Sequence, residues 1–267
     1  ITGVPQSSTV LGRFLERPNR FIAYVEVNGQ RMVCHVKNTG RCRELLIPGC
    51  RVVLEYHPGA RAAGRKTEFD LIAVYKGDLL INMDSQAPNK AAWEWMEQLC
   101  MTDSKPADCR LMGALWELQP WDRQDGFFQP GNLRREVTHG DSRFDLAFTL
   151  QNEQTGQERP AFMEVKGVTL EENGIVMFPD APTQRGIKHI QGLSRAIREG
   201  FEAFVLFVVQ MNGVTEFRPN DKTHPAFGDA LRAGADAGVH ILAYDCRTEI
   251  NSLVLQKKVA VRLSADL

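Results

Sequence analysis

Asp145, Glu164 and Lys166 are the residues of this sequence best suited to do chemistry. They fall in two strand-like runs, Arg143-Phe144-Asp145-Leu146-Ala147-Phe148 and Phe162-Met163-Glu164-Val165-Lys166-Gly167-Val168. Side chains alternate faces along a strand, so Glu164 and Lys166 share a face. The preceding strand supplies a second carboxylate, Asp145. Two acids and a lysine on one sheet face form a site for a hard divalent cation, Mg²⁺ or Mn²⁺, which takes oxygen ligands. Such an ion lowers the pKa of a bound water and stabilises charge on a phosphodiester oxygen. The lysine can orient that water or balance the developing negative charge. No Cys or His completes a softer, zinc-like set nearby. On an open strand the same Glu-x-Lys pair would be a weakly paired, solvated face. Phe162, Val165 and Val168 argue for burial instead, where charges are paired, metal-bound or functional.

A second constellation lies further on. Arg185 and His189 are four residues apart, on one helical stripe with Gly192 and Ala196. The small neighbours allow that stripe to approach another element closely. The preceding run from Phe178 to Thr183 can carry Asp180 to the sheet edge. Arg185 and His189 are then candidates to contact phosphate. The plainer alternative is a surface arginine and a hydrogen-bonded histidine.

The elements that must position these residues are legible from apolar periodicity and turn signals. Residues 10–80 read as about five short strands. The run 21–27 ends at Asn28-Gly29, a type I′ hairpin signal, and 31–36 follows as its partner. Pro48-Gly49 turns into 51–56, and 66–75 closes the set. Short strands with Gly and Pro turns predict a small OB-like barrel. Helices are expected over 88–99, 110–118, 183–199 and 225–237, with Pro88 in a first turn and Gly200 just past a helix end. Strands are expected at 135–137, 143–150, 161–170, 175–178, 204–209 and 239–244, and a polar loop at 151–160. The continuous apolar run 204–209 predicts a central strand covered on both faces. Helix and strand alternation defines an α/β layered domain. The expected division is 1–80 and 81–267.

The 267 residues are 43% hydrophobic, enough for real cores, and no apolar run is long enough for a membrane helix. The net charge of −1 hides an asymmetry. Residues 1–66 hold eleven Lys or Arg against four acids, an excess of seven, and the remainder carries eight net negative charges. A basic segment joined to an acidic one fits a polyanion-binding module beside a metal-binding module. Arg13, Arg17, Arg20, Lys37, Asn38, Arg41 and Arg43 gather near the Asn38-Thr39-Gly40 loop as candidate nucleic-acid contacts, with Phe21 and Tyr24 as stacking surfaces or core. The six cysteines form no CxxC pair. Even Cys34, Cys42 and Cys50, evenly spaced, match no zinc pattern. They read as reduced thiols of a cytoplasmic protein. The chain opens on Ile1, as a trimmed sequence would, with no basic-then-apolar leader.

Ordered motifs extend these readings. They include Glu136-Val137-Thr138-His139-Gly140 with Ser142-Arg143-Phe144-Asp145, then Glu164 to Leu170, then Phe178 to His189. The N-terminal half adds Gly12-Arg13-Phe14, Arg20-Phe21, His35 to Arg41 and Pro48-Gly49; Pro88-Asn89 and Leu242-Ala243-Tyr244 follow. Together they resemble the sugar fermentation stimulation protein family over nearly the whole chain, least over 100–132. The resemblance implies an N-terminal OB-like domain and a C-terminal domain like the PD-(D/E)xK nucleases, with an αβββαβ core. On that template Asp145, Glu164 and Lys166 are catalytic, and the Val165 carbonyl joins Asp145 and Glu164 as a metal ligand. Glu136, Asp180, Arg185 and His189 support them. The first-helix acid of the template is unassigned, with Glu94 and Glu97 as candidates, and the 100–132 segment is rich in tryptophan (Trp116, Trp121). The implied partner is DNA, with RNA and self-association left open. The implied roles are a metal-dependent nuclease or a non-catalytic DNA-binding regulator linked to sugar (maltose) metabolism.

Overall fold

Strand alternation in the first part of the chain closes a barrel. The structure, a computed structural model, describes residues 8–38, 40–102, 108–120 and 126–264; the expectations on Thr39 and Trp121 lie outside them. Two compact units divide the chain. The first is built mainly from residues up to Ala87, and the second from Pro88 onward, with Gln210–Asn212 and Arg247–Leu253 belonging to the first. In the first unit the strands are β1 (Ser8–Glu16), β2 (Ile22–Val27), β3 (Gln30–Val36), β4 (Arg51–Tyr56), β5 (Phe69–Lys76) and β6 (Leu79–Asn82). Their order is β3-β2-β1-β4-β5-β6, and β3 also pairs with β5 in parallel, which closes five strands on themselves. Closure removes the open edges that a five-stranded sheet would leave. The β2–β3 hairpin turns at Asn28 and Gly29, with φ of 50° and 76°, the double positive φ of a type I′ turn. Phe14, Val25, Val36, Leu54 and Leu71 point inward and are buried. The expected OB-like barrel is therefore present.

The second unit holds α1 (Ala87–Met101), α2 (Cys109–Glu117), β7 (Phe128–His139), β8 (Ser142–Asn152), β9 (Glu158–Val168), β10 (Leu170–Glu172), β11 (Ile175–Phe178), α3 (Gln184–Arg198), β12 (Glu202–Val209), β13 (Glu216–Pro219), α4 (Pro225–Asp236), β14 (His240–Glu249), β15 (Ser252–Lys258) and β16 (Ala260–Val261). A six-stranded sheet runs β15-β14-β12-β9-β8-β7, and a small sheet runs β10-β11-β13-β16. β12 is parallel to both β9 and β14, and β7, β8 and β9 are antiparallel neighbours. All eight residues of β12 are buried, as its unbroken apolar run predicts. The mixed α/β architecture matches expectation.

Two local expectations differ. The loop at 151–160 is shorter, because β8 runs on to Asn152 and β9 begins at Glu158. Asn152 Oδ1 accepts from the N–H groups of Gln154 and Thr155 and folds a tight turn that polarity alone reads as loop. The strands β6, β10, β13, β15 and β16 lie outside the expected set, and all but β15 are too short for periodicity to register.

Helix α3 packs on the sheet as its small residues suggest. Thr183 caps it, accepting from the Gly186 N–H at 3.0 Å, and Gly200 follows the last turn with φ of 89°. Its buried side carries Gly186, His189, Ile190, Gly192, Leu193 and Ala196, whereas Ile187 and Ile197 are half-buried flanks. A Cβ at Gly192 would sit 2.5 Å from Ser142 Oγ and 3.3 Å from Phe144 Cζ on β8. Overpacking of this kind costs about 1–3 kcal/mol. Gly192→Ala is therefore expected to lower unfolding free energy by that amount in urea titrations, with the m-value unchanged. An unaltered midpoint would show that the α3–sheet contact yields without strain.

Candidate active site

Glu164 stands on β9 in the middle of the larger sheet and is 2% exposed. A lone carboxylate there would be costly. Two groups offset that cost on one oxygen. Lys166 Nζ donates to Glu164 Oε1 at 2.6 Å, from the same strand face two residues on. His189, on the buried side of α3, reaches the same oxygen through Nδ1. An ionised carboxylate only accepts, so Nδ1 carries the hydrogen. That tautomer leaves Nε2 facing the Nε–H of Arg185, 3.4 Å away and exposed on the rim of α3. Burial pushes the Glu164 carboxyl up, but the His189 hydrogen bond and the Lys166 charge outweigh it and hold the pKa below its ordinary value. The other oxygen, Oε2, is buried and meets no hydrogen-bond partner.

Asp145, on β8, lies beside this pair. Its Oδ2 accepts from the Val165 N–H at 2.8 Å, and its Oδ1 accepts from Asn89 Nδ2 on α1 at 2.8 Å. Burial, and next the negative charge of Glu164, raise its pKa above the usual carboxylate value despite those donors and Lys166. The two carboxylates thus have opposed electrostatics: Glu164 is held ionised by the His189 hydrogen bond and the Lys166 charge, and Asp145 is discouraged from ionising by Glu164. A divalent cation between them would relieve both the repulsion and the orphaned Oε2, so the residues present fit such an ion.

The structure brings together Asp145, Glu164, Lys166, His189 and Arg185 from three elements. It does not bring in Glu136 or Asp180. Glu136, at a positive φ of 52° on β7, pairs outward with Arg143 at 2.5 Å. Its carboxylate, expected to support the site, is engaged in that exposed pair. Asp180, just beyond β11, makes none of the bonds of the cluster, although burial raises its carboxyl above the ordinary value. The first-helix position is taken by neither glutamate candidate. Glu94 pairs with Lys90 along the α1 surface at 3.8 Å, and Glu97 lies near Cys100, whose thiol is pushed up to about 11 by burial and then by that charge. Asn89 occupies the helix position instead, a donor where an acid was sought. The only hint was its place directly after Pro88. One turn later on α1, Trp93 lies 4.1 Å under the Arg135 guanidinium.

The candidate nucleic-acid residues of the barrel divide in two. Arg17 is turned inward. Its two Nη atoms donate to the carbonyls of Arg20, Asn38, Gly40 and Arg41, at 2.6–2.8 Å. That is a loop clamp, with both Nη groups spent on backbone, while the buried Nε meets no partner. Asn38 Oδ1 likewise accepts from the Gly40 N–H at 2.7 Å. Lys37 is half-buried between Asp84 at 3.2 Å and Glu55 at 3.3 Å. These internal bonds leave the three side chains with fewer groups for phosphate than the sequence suggests. Arg13, Arg20, Arg41 and Arg43 stay exposed, and Arg20 lies 5.8 Å from the ring of Phe21, itself 51% exposed. Tyr24 is half-buried under Arg31, at 4.1 Å. Among the described residues no disulfide joins the six cysteines, and burial pushes the Cys34 thiol up to about 12.

A closed OB-type barrel and an α/β unit with a buried acid–lysine–histidine cluster define the class. A family description reading SfsA N-terminal OB domain matches residues 15–83, and one reading sugar fermentation stimulation protein RE domain matches residues 114–252. The chain belongs to the sugar fermentation stimulation protein family. It is 48% identical over 252 residues to a sugar fermentation stimulation protein homolog of Desulfitobacterium hafniense strain Y51, covering 94% of this chain and 95% of that one. A homolog from Ruminiclostridium cellulolyticum is 45% identical over 252 residues, covering 94% and 96%. Among solved structures, Pyrococcus furiosus SfsA in complex with Ca²⁺ aligns with a TM-score of 0.72 and 25% identity, covering 96% of this chain and 97% of that one.

The opposed carboxylates predict a pH signature. A carboxyl whose pKa is raised on folding binds its proton more tightly in the folded state. Asp145 therefore contributes stability at low pH, and that contribution is lost as pH rises through the raised value. Glu164, with its lowered value, contributes above its unfolded pKa and loses that as pH falls through the depressed one. Asp145→Asn removes only the first effect. The variant should gain in melting temperature relative to wild type as pH rises from about 4 to about 7. A difference constant across that range would contradict the assignment.

Proposed function

We propose that this chain is a Mg²⁺- or Mn²⁺-dependent phosphodiester hydrolase acting on DNA. In this reading residues 81–267 form a PD-(D/E)xK nuclease-like domain and residues 1–80 a nucleic-acid-binding domain, in a cytoplasmic protein. The observation that carries it is the buried Glu164, with an orphaned Oε2, beside an Asp145 whose ionisation it opposes. The Ca²⁺ complex of the Pyrococcus furiosus relative supports a hard-cation site, since Ca²⁺ also takes oxygen ligands. Among the described residues no helix is long and apolar enough to cross a membrane.

Asp145, Glu164 and the Val165 carbonyl would hold the ion, which when bound supplies charge neutralisation at the phosphate and a more acidic water. Asn89 and the Val165 N–H fix the Asp145 carboxylate in place. Lys166, 2.6 Å from Glu164, is placed to orient the attacking water or offset charge on the phosphorane-like transition state. His189 holds Glu164 against rotation, and Arg185 on the rim can meet a phosphate. Arg13, Arg20, Arg41 and Arg43 would track the backbone, with Phe21 offered to a base. The second reading, a DNA-binding regulator without catalysis linked to sugar (maltose) metabolism, is favoured by the Glu164–Lys166–His189 contacts, which would also serve as a structural ion cluster.

Purified protein should cleave DNA with Mg²⁺ or Mn²⁺ and not with EDTA; RNA substrates in the same assay define the preference. Asp145→Asn and Glu164→Gln should abolish cleavage and Mg²⁺ binding while leaving DNA affinity largely intact. Lys166→Ala should retain the ion and lower kcat by about 10²–10³-fold. Calorimetry showing no divalent binding to wild type, even with DNA present, would favour the regulator. Arg41→Ala with Arg43→Ala should weaken DNA binding and flatten the log–log salt dependence by about two units. An unchanged slope would remove the barrel arginines from the interface.

A further inference from the structure

We propose that the barrel carries a second, separate metal site, for Zn²⁺ or a similar borderline cation, formed by Glu55, His57 and Asp70. Glu55 lies near the end of β4, and His57 follows two positions on. Asp70 is the direct cross-strand partner of Glu55 on β5. Three donors thus converge from a rigid part of the barrel wall. His57 Nε2 lies 3.0 Å from Asp70 Oδ2 and 3.4 Å from Glu55 Oε2, and the three donor atoms all lie within 4.8 Å of one another. A tetrahedral zinc centre with bonds of about 2.0–2.1 Å separates its ligands by about 3.3 Å, so the spacing needs little adjustment.

The surroundings suit a bound ion. Asp70 is 4% exposed at its side chain, and Arg65 Nη2 donates to its other oxygen, Oδ1, at 2.6 Å. That bond fixes the carboxylate with Oδ2 aimed at His57, the outer support that metal-binding carboxylates need. His35 Nδ1 approaches the same Oδ1 at 3.5 Å. Glu55 and His57 are each 25% exposed at the side chain, leaving a route for the ion and room for a water as fourth ligand. Lys37 competes for Glu55 Oε2 at 3.3 Å, but Asp84 at 3.2 Å gives it an alternative partner. One imidazole among two carboxylates shifts preference away from Mg²⁺, which is bound through oxygens, toward Zn²⁺. The ion would join β4, β5 and the 57–68 connection. It does not depend on the nuclease reading, whose residues lie in the other unit.

The test uses the full chain, stripped of metal, both as wild type and as Asp145→Asn to silence the first site. Titration with Zn²⁺ by calorimetry should show one ion per chain in the Asp145→Asn background, and Co²⁺ should give the intense visible bands of a tetrahedral centre. His57→Gln and Glu55→Gln should each weaken Zn²⁺ binding at least about tenfold and remove the Co²⁺ bands; Arg65→Ala should weaken it about 10–100-fold by releasing Asp70. Glu55→Gln is nearly isosteric at a part-exposed position, so it reports even if His57→Gln folds poorly. No bound Zn²⁺ in the Asp145→Asn chain, or binding indifferent to both substitutions, would overturn the site and leave a network of ion pairs.

Discussion

A carboxylate buried in the centre of a sheet is the constraint on which the second unit turns. Removing an ion from water costs several kcal/mol even after relaxation, and close charged or hydrogen-bonding partners must offset it. Glu164 finds them within its own strand and from one helix: Lys166 by alternation along β9, and His189 from the inner side of α3. Each partner binds the sequence to a particular packing. α3 must lie close to the sheet for His189 to reach, and Gly192 permits that approach against Ser142 and Phe144. Removing one partner would leave a buried charge under-compensated, a far larger penalty than losing a surface pair.

The remaining strain is electrostatic and local. Asp145 is held by Asn89 and by the Val165 N–H against the field of Glu164. A fold selected for stability alone would place an apolar or amide side chain there. Perturbed carboxyls of this kind cluster at functional sites, and the proposed function rests on them. The parallel placement of β12 between β9 and β14 supplies the frame, because it buries the sheet centre from which both acids project.

The barrel shows the same economy with different chemistry. Of the arginines and lysines that make its segment basic, some close loops and satisfy buried acids, and others remain on the surface. Arg17 supplies hydrogen bonds to four loop carbonyls and so ties its own turn to the loop around Asn38 and Arg41. Net charge therefore overstates the polyanion-facing surface: a count of side chains cannot distinguish a clamp from a contact.

Local pattern alone determined much of this protein. Period-two alternation placed Glu164 and Lys166 on one face, Asn28-Gly29 set the β2–β3 turn, and the unbroken apolar run identified β12 as central. These features depend on neighbours within a few residues, which the sequence displays directly. Tertiary structure decided what depends on residues far apart. It paired β3 with β5 to close the barrel, put Asn89 rather than Glu94 or Glu97 beside Asp145, and sent Glu136 to a surface pair with Arg143. It also set Asp70 opposite Glu55, thirteen residues from His57 along the chain yet 3.0 Å away in space. Glu55 and His57 stand two residues apart at the end of β4, and strand register supplies their third partner. Alternation is a property of one strand; register, helix docking and the balance of buried charge are settled only when separate elements meet.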